Sequence, residues 1–424
     1  MKHIHFTGAG GVGMCGLAHI ALDLGYEVTG SDMADSAMLE TLRERGVPLC
    51  VGHNPALVQD AELLVYSSAA PESDPERQEA KRLGIRQLRR GDYLNLLALH
   101  FPVRVAVSGS HGKTSTSAML VHILKNCGMK PGYMVGGKVN GWDRSAATGD
   151  GIVFVSETDE SDGSQAGFPA TLAVILNIDD DHCWSAGGTR GLECSFLELA
   201  FSARQVLAWR APHTEELFGG WKRCTLLDVP LDGEMPLPGW HVRVDAAMAV
   251  RAAVMLGIDE AQARQAIATF PGVARRMSVR YRSDDGKLVL LEDYAHHPAE
   301  LKATLDALRE AYPAHRLLAV FQPHRMERVE RYGDRFAELL STVDWCGLVE
   351  PFGAWRTDGY TADIHTIAAK ITAPCQCLPN NPTAIAEAAF PHWQSPAVLA
   401  VIGAGDVNKA IDAVLAISNS MRKN

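Results

Sequence analysis

The sequence predicts an α/β protein built from three domains. Short β-rich runs alternate with amphipathic helical stretches along all 424 residues, which is the pattern of helices packed on parallel sheets. That length exceeds what one hydrophobic core ordinarily serves and favours two or three domains. Apolar residues make up 47% of the chain and charged residues 21%, proportions typical of globular proteins with large cores.

The predicted strands fall into three blocks, which we expect to be domains. Their bounds are 1–99 for the N-terminal domain, 100–277 for the central domain and 278–424 for the C-terminal domain. The predicted strands are 4–7, 27–30, 63–67, 104–107, 153–156, 172–177, 288–291, 316–321, 346–349 and 397–402.

Local signals mark two further segments. Asn381 followed by Pro382 predicts a capped helix start, ahead of an alanine-rich run that ends at Phe390. The segment 211–239 is rich in Pro, Gly and Trp, so we expect loop and short elements there.

Composition excludes several classes of protein. The formal net charge of −10 comes without a basic stripe, which argues against nucleic-acid binding, although loops and helix ends can still bind small anions. No apolar stretch approaches the roughly 20 residues that span a bilayer, so we expect no membrane segment. The start, MKHIHFTGAGG, lacks the apolar region of a secretory signal, so we expect a cytoplasmic protein.

The nine cysteines show no CxxC pattern and no paired framework. In a chain of this size they predict reduced, mostly buried thiols rather than disulfides or structural zinc. Cys375 and Cys377 lie in a predicted strand, where alternation places both thiols on one face and favours burial.

A glycine-rich turn follows the first predicted strand and opens a helix. Its residues are Gly8, Ala9, Gly10, Gly11, Val12 and Gly13, and Ser31 and Asp32 end the next predicted strand. Such glycines let the backbone approach a pyrophosphate, and the acidic group can meet a ribose. The alternatives are a tight strand-to-helix turn without a ligand, and binding of NAD.

A second glycine turn, SGSHGKTST at 108–116, links an apolar strand to a predicted helix at 115–124. Its backbone N–H groups would cradle phosphates, Lys113 would reach the β- and γ-phosphates, and the Thr114 hydroxyl would bind Mg²⁺. The standard pattern has glycine where this chain has Val107, so Gly109 takes the earlier glycine's role.

Acidic clusters follow the next two predicted strands. Residues 157–162 read ETDESD, and residues 177–182 read NIDDDH and end on His182. Clustered carboxylates repel each other unless a cation or hydrogen bonds compensate, which makes them candidate ligands for a hard metal ion. The alternative for the first cluster is a solvated acidic loop.

The third block carries polar residues after two of its strands. They are EDYAHHPAE at 292–300 and FQPHRMER at 321–328. Two histidines and an aspartate at one strand end, with an arginine at another, would converge above the sheet. Taken alone, either segment is also an ordinary capped helix start.

Together these motifs resemble the Mur ligases, in the family's order and over nearly the whole chain. The segments that carry the resemblance are GAGGVGM at Gly8, SSAAP at Ser67, GSHGKTST at Gly109, ETDESDGS at Glu157, NIDDDH at Asn177, FPGVARR at Phe270, DYAHHPAE at Asp293, FQPHR at Phe321 and GAGD at Gly403.

The resemblance implies a function for each domain. A Rossmann-like N-terminal domain would bind a UDP-sugar, a central P-loop-type ATPase domain would bind ATP and Mg²⁺, and a Rossmann-like C-terminal domain would bind the amino acid. The enzyme would join the carboxylate of UDP-N-acetylmuramate to L-alanine through an acyl phosphate, in synthesis of the peptidoglycan precursor. No oligomeric state follows from it.

The resemblance also assigns residues to these roles. The substrate-binding residues would be Gly10, Gly11, Val12, Gly13, Ser31, Asp32, Ser67 and Ser68. The nucleotide-binding residues would be Gly109, Ser110, His111, Gly112, Lys113, Thr114, Ser115, Asp245, Arg276 and Asp293. The metal ligands would be Thr114, Glu157 and His182, and the catalytic residues Lys113, His182, His296 and Arg325.

The chain departs from the family pattern in three places. Where the family has HNxxN, whose asparagines help read adenine, residues 241–245 read HVRVD; where it has VYPAGE, residues 349–354 read VEPFGA, followed by Trp355. Val242 therefore offers no side-chain hydrogen bond, and Ala354 replaces an acidic group expected near the amine. The stretch between Glu157 and His241 is also a few tens of residues shorter than usual, which predicts missing elements in the central domain.

These departures leave other functions open. A related ligase that attaches a recycled peptide to the same UDP-sugar shares most of the motifs, although the ESDGS form favours the alanine enzyme. A nucleotide-binding protein that kept the fold and lost turnover is a second alternative. A nicotinamide oxidoreductase would account only for the segment up to Asp32.

Overall fold

The computed structural model describes residues 2–161, 163–181, 183, 187–353 and 363–421. The chain divides into two compact units, Met1–Pro236 with Arg243–Val273 and Leu237–Val242 with Ala274–Asn424. The described strands form three sheets, one in each predicted block. The first unit contains two of the sheets, so the two units do not correspond one to one with the three predicted domains. The domain bounds drawn from the sequence therefore stay a prediction.

The first sheet lies in the N-terminal block. Its strands are β1 His3–Thr7, β2 Glu27–Asp32, β3 Leu49–Val51, β4 Leu63–Tyr66 and β5 Arg86–Arg89. The accompanying helices are α1 Val12–Asp23, α2 Ala37–Arg43, α3 Pro75–Leu83 and α4 Arg90–Ala98, with a 3-10 turn at Pro55–Val58. All strands are parallel in the order β3-β2-β1-β4-β5, so the order reverses at β1 and β4, where ligands bind in such sheets.

The second sheet belongs to the same compact unit. Its strands are β6 Val103–Ser108, β7 Gly132–Met134, β8 Ala146–Ala147, β9 Val153–Glu157, β10 Leu172–Ile175, β11 Gln205–Trp209 and β12 Cys224–Leu227. The helices of this block are α5 Lys113–Asn126, α6 Thr189–Ser202, α7 Pro212–Phe218, α8 Trp240–Met255 and α9 Glu260–Ile267, with a 3-10 turn at Ser164–Gly167. The order is β12-β11-β10-β6-β9-β7-β8, and the strands are parallel except for β8. The phosphate-loop strand β6 therefore lies between β10 and β9, which the two acidic clusters follow.

The third sheet lies in the second unit. Its strands are β13 Ser278–Arg282, β14 Leu288–Asp293, β15 Arg316–Phe321, β16 Trp345–Val349, β17 Cys375–Leu378 and β18 Ala397–Ile402. The helices are α10 Pro298–Ala311, α11 Met326–Leu340, α12 Ile364–Ala368, α13 Pro382–Ala389 and α14 Ala410–Met421, with 3-10 turns at Phe390–His392 and Val407–Lys409. The order is β13-β14-β18-β15-β16-β17, with only β13 antiparallel. All six residues of β18 are buried, as expected for a central strand covered on both faces.

The predicted elements are confirmed to within two residues at each strand end. The helix after the phosphate loop begins at Lys113 instead of 115, which places Lys113 and Thr114 in its first turn. The Asn381 side chain caps α13 by accepting a hydrogen bond from the Ala384 amide at 3.0 Å. The segment 211–239 contains the short elements α7 and β12, as predicted.

The cysteine prediction was wrong in one respect. All nine cysteines lie in the described part of the chain, and of these Cys15, Cys183 and Cys346 alone are buried. Cys375 and Cys377 do share one face of β17, with exposed Gln376 between them. They are half-buried because β17 is the outermost strand of its sheet. No helix in the described ranges is long and apolar enough to cross a membrane.

Candidate active site

The predicted phosphate loop connects β6 to α5 at the carboxyl edge of the central sheet. Gly109 has a φ of 145°, and a Cβ there would lie 3.0 Å from Leu176 Cβ and 3.1 Å from the Asn177 nitrogen. Only glycine therefore fits where the loop passes the end of β10. Val107 is a buried residue of β6, so Gly109 is the glycine that lets the loop turn at this point.

The loop is fastened to the segment that follows β10. The Asn177 side chain accepts a hydrogen bond from the His111 amide at 2.8 Å and donates one to the His111 carbonyl at 3.1 Å. Ser110 Oγ accepts from the Asp179 amide at 2.8 Å, and His111 Nε2 lies 3.1 Å from Asp179 Oδ2. The NIDDDH segment therefore contacts the phosphate loop directly, and these contacts hold the loop's shape.

Two of the predicted metal ligands lie side by side. Thr114 Oγ1 donates a hydrogen bond to Glu157 Oε2 at 2.8 Å, and the Gly136 amide donates to the same oxygen at 2.8 Å. Mg²⁺ binds oxygen atoms octahedrally at about 2.0–2.1 Å, which separates neighbouring ligand atoms by about 2.9 Å. The hydroxyl and the carboxylate therefore fit a shared Mg²⁺. The third predicted ligand, His182, lies outside the described residues.

Lys113 is surrounded by acceptors. Its Nζ donates to the Gly109 carbonyl at 2.7 Å, to the Ser110 carbonyl at 3.2 Å and to the Glu160 carboxylate oxygens at 2.8 and 3.1 Å. Burial acts to lower the pKa of Lys113, but the neighbouring carboxylates, Glu160 first, raise it above its ordinary value. Lys113 is therefore charged throughout the physiological pH range.

The predicted nucleotide residue Asp245 lies next to the phosphate loop. A Cβ on Gly112 would be 2.5 Å from Asp245 Oδ1, so α8 brings this buried carboxylate against the turn before Lys113. Ser115 follows in the first turn of α5 and is half-buried. Val242 is 5% exposed, so the residue in the first asparagine position of the family pattern is an apolar core residue here.

The N-terminal domain contains a cavity of about 520 Å³ at the carboxyl ends of its strands. The lining comes from the strand ends and the segments that follow them: Thr7, Gly8, Gly11, Ser31, Asp32, Met33, Gly52, His53, Ser67, Ala69, Ala70, Pro71, Ser73, Asp74 and Pro75. Four predicted substrate residues thus line it. The other four, Gly10, Val12, Gly13 and Ser68, lie outside that lining in the described part of the chain.

The glycine turn of this domain is stabilised by residues at the end of β2. The Gly8 and Ala9 amides both donate to the Ser31 carbonyl at 2.8 Å, and the Gly10 amide donates to Asp32 Oδ2 at 2.8 Å. Asp32 therefore holds the turn with one carboxylate oxygen while it lines the cavity. The glycine motif predicted a ribose contact for Asp32, but it did not predict that Asp32 holds the turn.

A buried carboxylate that the sequence analysis missed lies beneath the cavity. Glu76 Oε2 accepts hydrogen bonds from Ser31 Oγ at 2.6 Å and Thr7 Oγ1 at 2.8 Å, and lies 3.1 Å from His5 Nε2. Its other oxygen accepts from the Asn54 amide at 2.9 Å. Burial alone would raise the pKa of Glu76, but these hydrogen bonds lower it to about 2. The only sequence signal was a glutamate in the first turn of a helix that starts with Asp-Pro, where carboxylates are common.

In the second unit, Asp293 is the last residue of β14, and its carboxylate accepts hydrogen bonds from main-chain amides and a threonine hydroxyl. Its Oδ2 accepts from the Met277 amide at 2.7 Å, and its Oδ1 accepts from the Ala295 amide at 2.9 Å and from Thr304 Oγ1 at 3.0 Å. Burial raises the pKa of Asp293, and the charge of Arg276 acts in the opposite direction. The two predicted nucleotide residues of this unit are therefore neighbours, and Asp293 also fixes the chain around Met277.

Arg275, the residue before Arg276, has a structural role. Arg275 has a φ of 63°, pairs with Glu292 at 3.0 Å and donates to the carbonyls of Gly403 and Gly405 at 2.8 and 2.9 Å. The Arg276 guanidinium lies 5.4 Å from the Tyr294 ring centroid. Arg275 thus anchors the segment, and Arg276 stacks near the end of β14.

His296 and Arg325 lie on neighbouring parts of the same carboxyl edge. The His296 ring packs on the His324 ring at 5.8 Å between centroids, and its Nδ1 lies 3.2 Å from Glu300 Oε2. Arg325 has a φ of 69°, and its amide donates to the Phe352 carbonyl at 2.8 Å. A non-glycine residue in this conformation is strained, a feature that clusters at functional sites.

Phe352 packs against the FQPHR segment, a contact that the sequence analysis did not predict. Its ring stacks on His324 with centroids 5.5 Å apart and planes at 9°. The sequence did contain a signal, because Phe352 lies in the segment 349–354, which differs from the family pattern. Ala354 and Trp355, on which the predicted change of the amine pocket rested, lie outside the described residues.

Sequence comparison places this chain among known proteins. Residues 3–102 match the family model described as Mur ligase family, catalytic domain, and residues 275–405 match the one described as Mur ligase, glutamate ligase domain. The UDP-N-acetylmuramate–L-alanine ligase of Methylococcus capsulatus is 33% identical over 96% of this chain and 94% of its own.

Solved structures share the fold over the full length. The UDP-N-acetylmuramate–alanine ligase of Thermotoga maritima matches with a TM-score of 0.83 at 23% identity, covering 99% of this chain and all of that one. The murein peptide ligase of Psychrobacter arcticus matches with a TM-score of 0.70 at 22% identity, covering 98% of both chains. With the near-full-length sequence relative, these findings establish that the chain belongs to the Mur ligase family.

Proposed function

We propose that this protein is an ATP-dependent ligase that joins the carboxylate of UDP-N-acetylmuramate to the amino group of L-alanine in peptidoglycan precursor synthesis. The observation that carries the proposal is the carboxyl edge of the central sheet. There the phosphate loop holds Lys113 and places Thr114 Oγ1 2.8 Å from Glu157 Oε2. The near-full-length relative named for this reaction supports the choice of substrates.

The central domain would bind ATP and Mg²⁺. Backbone N–H groups between Gly109 and Ser115 would surround the phosphates, and Lys113 would contact the transferred group. Thr114 and Glu157 would hold Mg²⁺ together with His182. When bound, Mg²⁺ offsets the phosphate charge and polarises the phosphoryl group.

The N-terminal cavity would bind the UDP part of the sugar nucleotide. Gly11, Ser31, Asp32 and Ser67 line it, and its position where the strand order reverses is typical for nucleotides. Glu76 would act from below by fixing the Ser31 hydroxyl. This arrangement supports a nucleotide diphosphate over a bare sugar, because α1 begins directly after the lining residue Gly11 and helix N-termini bind phosphate.

The second unit would supply the remaining charged groups. Arg276 and Asp293 would contact the nucleotide, while His296 and Arg325 would lie near the reacting carboxyl and amine. The hydrogen bond from the Arg325 amide to the Phe352 carbonyl and the contact between the His296 and His324 rings restrict the orientations of these groups. Such preorganised charge is most effective where negative charge develops.

The reaction would proceed in two steps. The sugar's carboxylate oxygen attacks the γ-phosphorus of ATP, which gives an acyl phosphate and releases ADP. The amine then attacks the acyl carbon, loses a proton and expels phosphate, leaving the amide. Both steps concentrate negative charge, and Lys113 with the arginines would stabilise it without a covalent enzyme intermediate.

Its place in the cell follows from its substrates. ATP is supplied in the cytoplasm, so we place the reaction there. Its product would serve cell-wall biogenesis, and through it cell shape and cell division. The substrates are small molecules, so the proposed reaction requires neither nucleic acid nor a membrane.

Product analysis with a panel of amines tests the proposal. The enzyme would be incubated with Mg-ATP, UDP-N-acetylmuramate and L-alanine, glycine, L-serine or the recycled tripeptide, followed by phosphate release and product mass. We expect the L-alanine amide in highest yield. An amide from the tripeptide alone would establish the recycling activity instead, and ATP binding without any amide would indicate a non-catalytic protein.

A further inference from the structure

The contacts of Lys113 bear on how ATP enters the phosphate loop. An ammonium group has three N–H donors and no acceptor. In this structure those donors face four oxygen atoms, two of them main-chain carbonyls and two of them the carboxylate oxygens of Glu160. Any phosphate oxygen that Lys113 binds must therefore displace one of these acceptors.

Glu160 is the acceptor that competes most strongly. Its carboxylate side chain is 1% exposed, and the distance from its Oε2 to Lys113 Nζ is 2.8 Å. All four contacts are charge-assisted because their donor is an ammonium, but Glu160 also contributes an opposite charge, so the main-chain carbonyls are the weaker acceptors. Burial raises the pKa of Glu160 and the charge of Lys113 lowers it, so this buried carboxylate is costly to leave without its cation. Releasing Lys113 from Glu160 therefore opposes nucleotide binding.

We propose that Glu160 is a positioning residue that holds the Lys113 ammonium in the nucleotide-free enzyme and that the phosphates of ATP must take Lys113 from it. This inference rests on the proposed function, since it assumes that the loop binds ATP. The exchange keeps Lys113 charged and aimed across the loop before the nucleotide arrives. It also lowers the affinity for the nucleotide.

Glu160→Gln tests the exchange, because glutamine has nearly the same shape and keeps one acceptor oxygen while losing the charge. We expect the variant to bind a magnesium-loaded, non-hydrolysable ATP analogue about tenfold more tightly in isothermal titration calorimetry. KM for ATP should fall accordingly, whereas kcat should not rise, because Glu160 acts on the ground state. Thermal unfolding of the variant checks that the fold is intact.

The same substitution in a Lys113→Met background separates exchange from simple charge repulsion. Without the ammonium there is nothing to exchange, so we expect Glu160→Gln to change the affinity there by less than twofold. Asp159→Asn is the matched control. It removes the neighbouring carboxylate, which pairs with Arg90 at 3.4 Å and is 38% exposed, and should change the affinity by less than threefold.

The outcomes are distinct. If Glu160→Gln weakens binding of the analogue or leaves it unchanged while the wild-type protein binds it, the exchange is wrong. Equal tightening in the presence and absence of Lys113 would also contradict it, because that result indicates plain repulsion between Glu160 and the phosphates. If the wild-type protein itself fails to bind the analogue, the proposed ATP site is wrong and the exchange falls with it.

Discussion

The phosphate loop and the N-terminal cavity both lie at the carboxyl ends of parallel strands, in two different sheets, yet their residues are connected differently. In the phosphate loop the residues named from the motifs contact one another, as Thr114 does with Glu157 and Asn177 with His111. In the N-terminal cavity the motif residues Ser31 and Asp32 contact the glycine turn and Glu76, which no motif indicated. A motif therefore reveals a site fully only when the partners of its residues also lie in motifs.

The largest effect is expected at Lys113, the centre of the first region. Lys113→Ala removes the charge that stabilises the transferring phosphoryl group, so kcat should fall at least about 10³-fold, roughly 4 kcal/mol of barrier. The measurement is steady-state phosphate release, with circular dichroism to verify the fold. Lys130→Ala, at an exposed lysine of the same domain, should keep wild-type turnover. If Lys113→Ala retains more than about a tenth of the rate, a loss below roughly 1.4 kcal/mol, the phosphate-loop assignment is wrong.

In the N-terminal cavity, the expected effect of a substitution is a loss of stability. The pKa of Glu76 lies at about 2 in the folded protein against its ordinary 4.5. A lowered pKa means that its stabilisation is complete above pH 4.5 and is lost as the pH falls from 4.5 towards 2. Glu76→Gln should therefore cost about 3 kcal/mol of unfolding free energy at pH 7 and little near pH 2.

Denaturant unfolding at several pH values measures this difference. Glu62→Gln, at an exposed glutamate of the same domain, is the control and should leave the transition where it is. If Glu76→Gln lowers the unfolding free energy equally at pH 7 and pH 3, packing and not the charge of Glu76 stabilises the region beneath the cavity.

A smaller effect is expected from a substitution next to the proposed metal site. A Cβ at Gly136 would lie 2.4 Å from Glu157 Oε2, so Gly136→Ala must push that carboxylate away from Thr114. We expect the Mg²⁺ concentration for half-maximal activity to rise about tenfold, roughly 1.4 kcal/mol, with little change in KM for the UDP-sugar. Gly220→Ala, at a glycine with no neighbouring atom in the way, is the matched control. An unchanged Mg²⁺ requirement would argue against Glu157 as a ligand.

The smallest effect concerns adenine. Asp245 can accept a hydrogen bond from the adenine amino group but cannot donate one, so we expect an ATP preference over GTP below roughly 10⁴-fold in kcat/KM. Asp245→Asn adds a donor and should raise the preference about fivefold, the effect of one hydrogen bond of about 1 kcal/mol. A wild-type preference above that limit would show that other groups have replaced the missing asparagines.

The same distinction explains what the sequence could predict. The predicted strands and the phosphate loop follow from apolar runs and glycines whose effects are local, so the ends of those strands were predicted to within two residues, whereas short strands such as β3, β5 and β7 were missed. The roles of Glu76 and Arg275 depend on partners 45 and 128 residues away in the chain, Ser31 and Gly403, and periodicity carries no information about such pairs. The half-buried state of Cys375 was missed because it depends on β17 being an outer strand.

Transfer of oxygen from substrate to phosphate tests the central claim most directly, because it reports the bond formed in the first step. UDP-N-acetylmuramate labelled with ¹⁸O in its carboxylate would be converted with Mg-ATP and L-alanine, and the released phosphate analysed by mass. We predict one ¹⁸O atom in each phosphate formed, since the carboxylate oxygen that attacks the γ-phosphorus leaves with it. Phosphate free of ¹⁸O, formed together with the amide, would contradict the acyl-phosphate account.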